Sequence, residues 1–295
     1  MLEDKMLADV KYVIVTPVRD EEEHIEAIVA AVASQTILPT EWIIVNDGST
    51  DRTAEIIDEY AARFPWIHAV HRNNRGFRKS GGGVVEAFYD GYRTIQDNEW
   101  EFVVKLDGDL TFPSDYFERC FDHFRGEQRL GIGGGAIYHA IGTALTLEEN
   151  PRFHVRGATK IYRRACWHAI GGLVVAPGWD TIDEVKANML GWKTCTFPEF
   201  RLVHHRFTGS ADGSIRDRVK HGLACYVSGY HPLFVAASCV YRLIRKPYLI
   251  GSAAMLFGFV KGYLTHSPRL KEAAVVSYLR NQQLRRLCGL ETIWK

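Results

Sequence analysis

The feature that most narrows the fold is the order in which short apolar runs, polar turns and helical periods recur from Tyr12 onward. The run Tyr12-Val-Ile-Val-Thr16 is too short for a buried helix and rich in β-branched residues, so it reads as a buried strand. The segment after it places Ile25, Ile28, Val29 and Val32 at the i, i+3, i+4, i+7 spacing of one helix face. The pattern then repeats. Trp42-Ile-Ile-Val45 precedes a helix carrying Ile57, Tyr60, Ala61 and Phe64, and Ile67 to Val70 precedes a basic, Gly-rich loop. The following helix carries Val84, Ala87, Phe88 and Gly91, and Phe102-Val-Val-Lys-Leu106 closes the series as another buried strand. Strands alternating with helices predict an α/β fold with a mostly parallel central sheet flanked by helices. From Gly131 the alternation is less clean, with a glycine run at Gly133 to Gly135 and a helix predicted over Thr181 to Leu190. No repeat or linker interrupts the chain before about Gly229, so residues 1–229 are expected as one domain and 230–295 as a C-terminal helical segment.

Composition then removes several classes of function. With 36 basic and 35 acidic residues the chain lacks the charge footprint of a nucleic-acid binder. Its six cysteines show neither paired nor metal-type spacing, which predicts reduced thiols in a cytosolic setting. Met1 to Lys11 has no apolar core of the kind a secretory signal needs. The apolar stretches Pro232 to Ile244 and Tyr248 to Leu264 fall short of the ~20 residues of a spanning helix. Edged by Tyr, Lys and Arg, they predict a peripheral membrane segment, or else helices that pack on the domain or form a homo-oligomer.

In an open parallel sheet, ligands bind beyond the carboxyl ends of the strands, and the polar punctuation of this chain falls there. Asp107-Gly-Asp109 follows a buried strand, where two carboxylates one residue apart can turn toward one hard cation that bridges two phosphates. Asn46-Asp-Gly-Ser-Thr-Asp51 follows the second strand and would serve equally as a plain strand-to-helix turn. The loop Arg72-Asn-Asn-Arg-Gly-Phe-Arg-Lys-Ser80 supplies cations beside a helix N-terminus, which favours phosphate. Neither G-x-G-x-x-G nor G-x-x-x-x-G-K-[ST] follows the first strand, which excludes a Rossmann dehydrogenase and a P-loop enzyme. The first loop has no glycine, unlike that of a nucleotidyltransferase that makes activated sugars.

Taken with Thr16-Pro-Val-Arg-Asp-Glu-Glu22, these motifs resemble family 2 glycosyltransferases of the GT-A fold over roughly Tyr12 to Phe207. The resemblance implies an inverting, metal-dependent transferase that moves a sugar from a nucleotide-sugar, with a UDP-sugar expected. Residues 10–110 would then form the nucleotide-sugar-binding half and 111–229 the acceptor half. It implies that Pro17, Arg19 and Glu21 line the nucleotide site with Arg75, Lys79 and Gly108, that Asp47 accepts from the base, and that Asp107 lies by ribose and metal. Asp109 would be a direct ligand of Mn²⁺ or Mg²⁺.

The family's catalytic base opens a helix, and here Gly178-Trp-Asp180 with Thr-Ile-Asp-Glu184 stands in that place. Trp179 replaces the usual Glu, so Asp180 takes the base role, with Asp183 and Glu184 as second candidates. In His204-His-Arg-Phe-Thr-Gly-Ser210, His205 is preferred over His204 as a third metal ligand. Arg206, with Gly209 and Ser210, also resembles a phosphate-contacting stretch of dolichol-phosphate mannose synthases, and Arg206 and Trp179 are assigned to the acceptor or its phosphate. The implied acceptor is a polyprenyl-linked glycan intermediate of cell-surface polysaccharide synthesis, met at the cytoplasmic face of the plasma membrane. A polyprenyl-phosphate sugar synthase and a non-catalytic nucleotide-sugar-binding protein are the alternatives.

Overall fold

The computed structural model describes residues 10–77, 81–141, 144–206, 214–244 and 248–294. Three βα units open the chain: β1 (Tyr12–Val18), α1 (Ile25–Ala33), β2 (Glu41–Asn46), α2 (Thr53–Arg63), β3 (Ile67–His71) and α3 (Gly82–Tyr92). They lead to β4 (Phe102–Leu106), the two-residue β5 (Leu110–Thr111) and α4 (Tyr116–Gly126). The periodicity is met: Ile25, Ile28, Val29 and Val32 are all buried, and β1, β2 and β4 are buried almost throughout. Strands buried on both faces need apolar residues at every position, which is why these segments show continuous runs. On one face α1, α2 and α4 enclose a core with Trp42, Phe117 and Phe121; on the other, α3 contributes Val85 and Phe88. Gly91 lets α3 approach, because a Cβ there would meet Val45 Cγ2 at 2.5 Å.

The second half departs from the expected mostly parallel sheet. It adds β6 (Leu130–Ile141), β7 (Ala144–Leu147), β8 (Thr159–Arg163), α5 (Arg164–Ile170), α6 (Trp179–Met189) and β9 (Lys193–His204). Strand order is β3-β2-β1-β4-β8-β6-β9-β5, with β7 on β6. The pairs β1–β2, β2–β3, β1–β4 and β6–β9 are parallel, whereas β4–β8, β6–β8, β6–β7 and β5–β9 are antiparallel. The cause lies between β6 and β8: the chain returns through a hairpin and an irregular segment containing Pro151, without a helical crossover, and so β8 enters antiparallel. The glycine run packs β6 against its neighbours, since a Cβ at Gly134 would meet Thr159 O at 2.6 Å and one at Gly133 would meet Phe197 at 2.6 Å.

Four helices complete the chain: α7 (Ser214–Val227), α8 (Pro232–Arg242), α9 (Tyr248–Leu264) and α10 (Ala273–Leu287). α7 and α9 cross at glycines, where a Cβ on Gly222 would lie 1.9 Å from Met255 O and one on Gly258 2.0 Å from Val219 O. Cys225, Tyr226, Val235, Met255 and Phe259 form one cluster across α7, α8 and α9, so the helical group is joined across Gly229. α10 packs on α6 through Val275 and Leu279 against Val185. Among the described residues no helix is long and apolar enough to cross a membrane. The outer faces of α8 and α9 nonetheless leave Leu233, Val240, Leu249, Ile250, Phe257 and Leu264 exposed.

Candidate active site

The loops after β1, β2 and β3 are knitted into one polar rim. Val18 pairs with Asn46 at the strand ends, and Asn46 Oδ1 then accepts from Ser49 N at 2.9 Å, fixing the turn that presents Asp47. Gly48 is required in that turn: its φ is 70° and a Cβ would meet Asn74 Cα at 2.5 Å. Arg72 and Arg75 each donate to one oxygen of Asp47, the latter at 2.5 Å, so two guanidinium groups hold a carboxylate that is almost buried. Arg19 ties the loops together, donating to Asp47 O at 3.2 Å and Asn74 Oδ1 at 3.0 Å. Pro17 is half-buried in the last pairs of β1 with β2. Of the residues expected here, Lys79 lies outside those described.

The next strand end carries the carboxylates. Asp107 N donates to Ala158 O at 2.8 Å, while buried Lys105 donates from Nζ to Asp107 Oδ1 and, at 2.6 Å, to Gly157 O. Gly108 lies so close to Val18 that a Cβ would meet its Cγ1 at 2.5 Å, which brings the turn against the first loop. The chain then forms β5, whose Leu110 pairs with His204 at the end of β9, and His205 N donates to Asp109 O at 3.0 Å. This register turns His204 toward the carboxylates: Nε2 lies 3.0 and 3.1 Å from the two oxygens of Asp109.

One ligand atom from each of Asp107, Asp109 and His204 falls within 4.8 Å of the others. Two carboxylates and an imidazole form a donor set that suits Mn²⁺ and also accommodates Mg²⁺, and the convergence of three such atoms at a strand end is the fit expected of a cation site. The preference for His205 is corrected by this geometry. Successive residues of a strand point to opposite sides, and His205 is turned away to Thr111 Oγ1, at 2.9 Å, and stacks on His24. Burial alone would raise the pKa of Asp109, but the hydrogen bond and charge of His204, with Arg206, outweigh it and hold the carboxyl below its ordinary range. Burial opposes the charge on His204 in turn, yet Asp109 and Asp107 raise its pKa. Arg206, expected at the acceptor or its phosphate, donates here to Glu21 Oε1 at 2.8 Å and to Asp20 O at 2.9 Å, and so closes the first loop over β9. Gly209 and Ser210 lie outside the described residues.

Asp180 stands in the first turn of α6, after Gly178, whose φ of 82° turns the chain into the helix. Its carboxylate is a quarter exposed and lies 3.8 Å from Arg156 Nη1. It borders a cavity of about 610 Å³ with Arg156, His139 and Glu148 on one side and Arg218 and His221 of α7 on the other. The cavity adjoins the carboxylate cluster, because His139 lines it and stacks on His204 at 5.3 Å. Burial opposes the charge of Asp180, but His154, Lys160 and Arg156 reverse that and lower its pKa, so it is an ionised carboxylate at neutral pH.

Asp183 and Glu184 do not share this position, which corrects the placing of Asp183 in catalysis. Both are buried, and Lys160 Nζ lies 2.9 Å from Asp183 Oδ2 and 2.8 Å from Glu184 Oε1. Tyr162 donates to Asp183 at 2.6 Å, Val155 N to Glu184 at 2.7 Å, and Lys160 also reaches the backbone carbonyl of Asp180. Desolvation, relieved by Lys160 and worsened by Glu184, pushes the pKa of Asp183 up to about 6. These carboxylates anchor the helix that carries Asp180. Trp179 is also nearly buried, with Lys105 and Lys160 5.6 and 5.5 Å from its ring centre, and it meets the cavity only at its wall.

The glycosyl transferase family 2 profile matches residues 13–171, more than half of the chain. The chain belongs to glycosyl transferase family 2. It is 31% identical over 125 residues to the uncharacterized glycosyltransferase EpsJ of Bacillus subtilis (strain 168), a match covering 42% of this chain and 33% of that protein. It is 30% identical over 112 residues to an Escherichia coli chondroitin synthase, covering 37% of this chain and 14% of the synthase. The chain thus spans about a third or less of the length of these relatives. Among solved structures it resembles the mannosyltransferase PcManGT of Pyrobaculum calidifontis in complex with GDP-Man and Mn²⁺, with a TM-score of 0.58 at 16% identity over 98% of this chain and 94% of that one. It also resembles residues 1–349 of S. aureus TarS in complex with UDP, with a TM-score of 0.53 at 15% identity over 88% and 73% of the two chains. At these identities the likeness establishes a shared fold, the α/β arrangement with a mixed sheet described above.

Four residues of this family 2 chain escaped the sequence reading. Lys105 and Lys160 each interrupt an apolar strand, and a charge inside a buried strand is itself a sign of a paired partner. Arg156 and His139 carry no such sign, because they reach the cavity only through the folding of the β6–β7 region.

Proposed function

We propose that the chain transfers a sugar, with inversion, from a nucleoside-diphosphate sugar to an acceptor hydroxyl held in the cavity beside Asp180. The observation that carries this reading is the convergence of Asp107, Asp109 and His204 next to a cavity containing an ionised carboxylate. A divalent cation, Mn²⁺ or Mg²⁺, bound by those three residues would supply positive charge to the diphosphate. Arg72, Arg75 and Arg19 order the rim on which the nucleotide lies, and Asp47, held in place by two arginines, is positioned to take the imino hydrogen of a uracil or guanine base. UDP-sugars are the donors expected first. Asp180 accepts the acceptor's proton as the hydroxyl oxygen bonds to the anomeric carbon and the bond from that carbon to the diphosphate breaks, releasing the nucleoside diphosphate, and Lys160 holds the helix turn that aims the base. The exposed apolar faces of α8 and α9 support a seat on a membrane surface at its cytoplasmic side, where a polyprenyl-linked acceptor is presented, or pairing of two copies through these helices.

One observation favours a second reading of the acceptor. Arg156 lies beside Asp180, and Arg218 shares the same cavity, a setting that suits a polyprenyl phosphate. A phosphate attacks as an anion and needs no base. The variant Asp180→Asn separates the readings: with a hydroxyl acceptor its rate falls by about 10²- to 10⁴-fold at near-normal donor affinity, and with a phosphate acceptor it does not. A panel of nucleotide-sugars assayed with Mn²⁺ and then with chelator identifies the donor. Donor binding without transfer or hydrolysis under every condition would leave only a nucleotide-sugar-binding protein.

A further inference from the structure

A second cavity, of about 640 Å³, lies in the C-terminal helices away from the carboxylate cluster. Its walls are the turn Gly229–His231, the segment Arg269–Lys271 and the face of α10 that carries Val276 and Arg280. Arg269, Lys271 and Arg280 line it, and among the described residues no carboxylate does. The guanidinium of Arg269 is clamped between two rings, 4.3 Å from the centre of Tyr226 and 4.6 Å from that of Tyr263. Its Nε and Nη2 are buried without a hydrogen-bond partner among the described residues. Arg280 spends only Nε, on Gly229 O at 2.8 Å. The adjacent acid, Glu272, is turned away to Lys186 at 2.6 Å. α10 begins at this wall with Ala273, and no side chain caps its first turn.

Three cations in a cavity wall that has no carboxylate among the described residues and an uncapped helix start favour the same ligand chemistry. A desolvated donor without an acceptor is unfavourable, and the positive end of a helix dipole adds to the attraction for an anion. The guanidinium of Arg269, held between two rings, forms part of the cavity wall, and guanidinium groups pair well with phosphate oxygens. We infer that this cavity binds a phosphate ester separate from the sugar donor. The polar walls formed by His231, Ser277 and Asn281 allow further hydrogen bonds to its oxygens. The same chemistry is offered by an anionic lipid headgroup and by a soluble phosphate ester.

The test uses the full chain, with glycerol 3-phosphate in titration calorimetry and phosphatidylcholine vesicles with and without phosphatidic acid in co-sedimentation. Lys271→Glu changes an exposed side chain and reverses one charge at the cavity, while Arg280→Gln removes a second charge; thermal melting confirms that each variant is folded. The expectation is binding to at least one probe, weakened about tenfold in each variant, the scale of one lost charge-assisted hydrogen bond. Asp109→Ala, which damages the donor site, leaves this binding unchanged, so failure here and failure of the proposed transfer are distinguishable. Binding of glycerol 3-phosphate alone supports a soluble ester, and retention only on vesicles with phosphatidic acid supports a headgroup. If neither probe binds, or both variants bind as the parent does, the inference is overturned.

Discussion

Replacing Lys160 by Met tests the part of the site on which the position of Asp180 depends. Lys160 Nζ is fully buried and is the cation that neutralises Asp183 and Glu184, both also buried. Met fills most of the stem volume but leaves Asp183 without its cation beside Glu184, which keeps His154, 2.8 Å from its Oε2. Breaking a buried ion pair from one side costs about 3–5 kcal/mol, which for a chain of this size corresponds to a fall in Tm of roughly 5–8 °C. The effect should depend on pH with a definite sign. In the parent Asp183 already has a pKa raised from 3.8 to about 6, so its contribution to stability is greatest below the unfolded value and is lost as pH rises through 6. Removing Lys160 raises that pKa further, and the variant should be closest to the parent near pH 5 and furthest from it near pH 8. Urea unfolding followed by tryptophan fluorescence at both pH values measures this directly. A variant within about 1 kcal/mol of the parent at pH 8, or one whose deficit grows on acidification, would refute the assignment of Lys160 as the charge that holds α6.

Two further outcomes follow from the geometry. His204→Ala should abolish the Mn²⁺ response of transfer and weaken Mn²⁺ binding by about 10- to 100-fold, whereas His205→Ala should leave Mn²⁺ affinity unchanged; calorimetric titration of Mn²⁺ reads both, and equal loss in the two would contradict the register of β5 on β9. Gly258→Leu would force a side chain into the backbone of α7, so it should separate α7 from α9 and lower stability by several kcal/mol, roughly the scale of strong overpacking; an unchanged Tm would show that the two helices do not cross there.

How far the sequence reveals this molecule depends on the range of the interactions involved. The strands β1, β2 and β4 and the helices α1 to α3 follow from local periodicity, since a strand buried on both faces and an amphipathic helix each carry their pattern within a few residues. That Asp47, Asp107 and Asp109 lie along one edge of the sheet was legible for the same reason: they follow those strands, and the carboxyl ends of neighbouring parallel strands share an edge. The antiparallel entry of β8 was not legible, because it depends on the course of an irregular return rather than on any residue within the strand.

The two site residues that the structure reassigns show where local reading stops. His204 and His205 have the same chemistry and adjacent positions, and what separates them is the pairing of β9 with a two-residue strand, which decides which side of the ladder faces Asp109. A shift of one residue in that register would exchange them. Asp180 and Asp183, three residues apart, leave the helix on nearly the same side, and what separates them is that Lys160 and Tyr162 hold Asp183 in the interior while Asp180 borders the cavity. The deciding partner is Lys160, an interior strand residue whose charge meets Asp183, Glu184 and the carbonyl of Asp180. A lysine in the middle of an apolar strand needs a buried acid partner: Lys105 finds Asp107 just past its own strand, and Lys160 finds Asp183 and Glu184 on the buried side of α6. Pairing those charges leaves Asp180 as the acid of that helix that borders the cavity, an inference that joins two segments by charge balance alone.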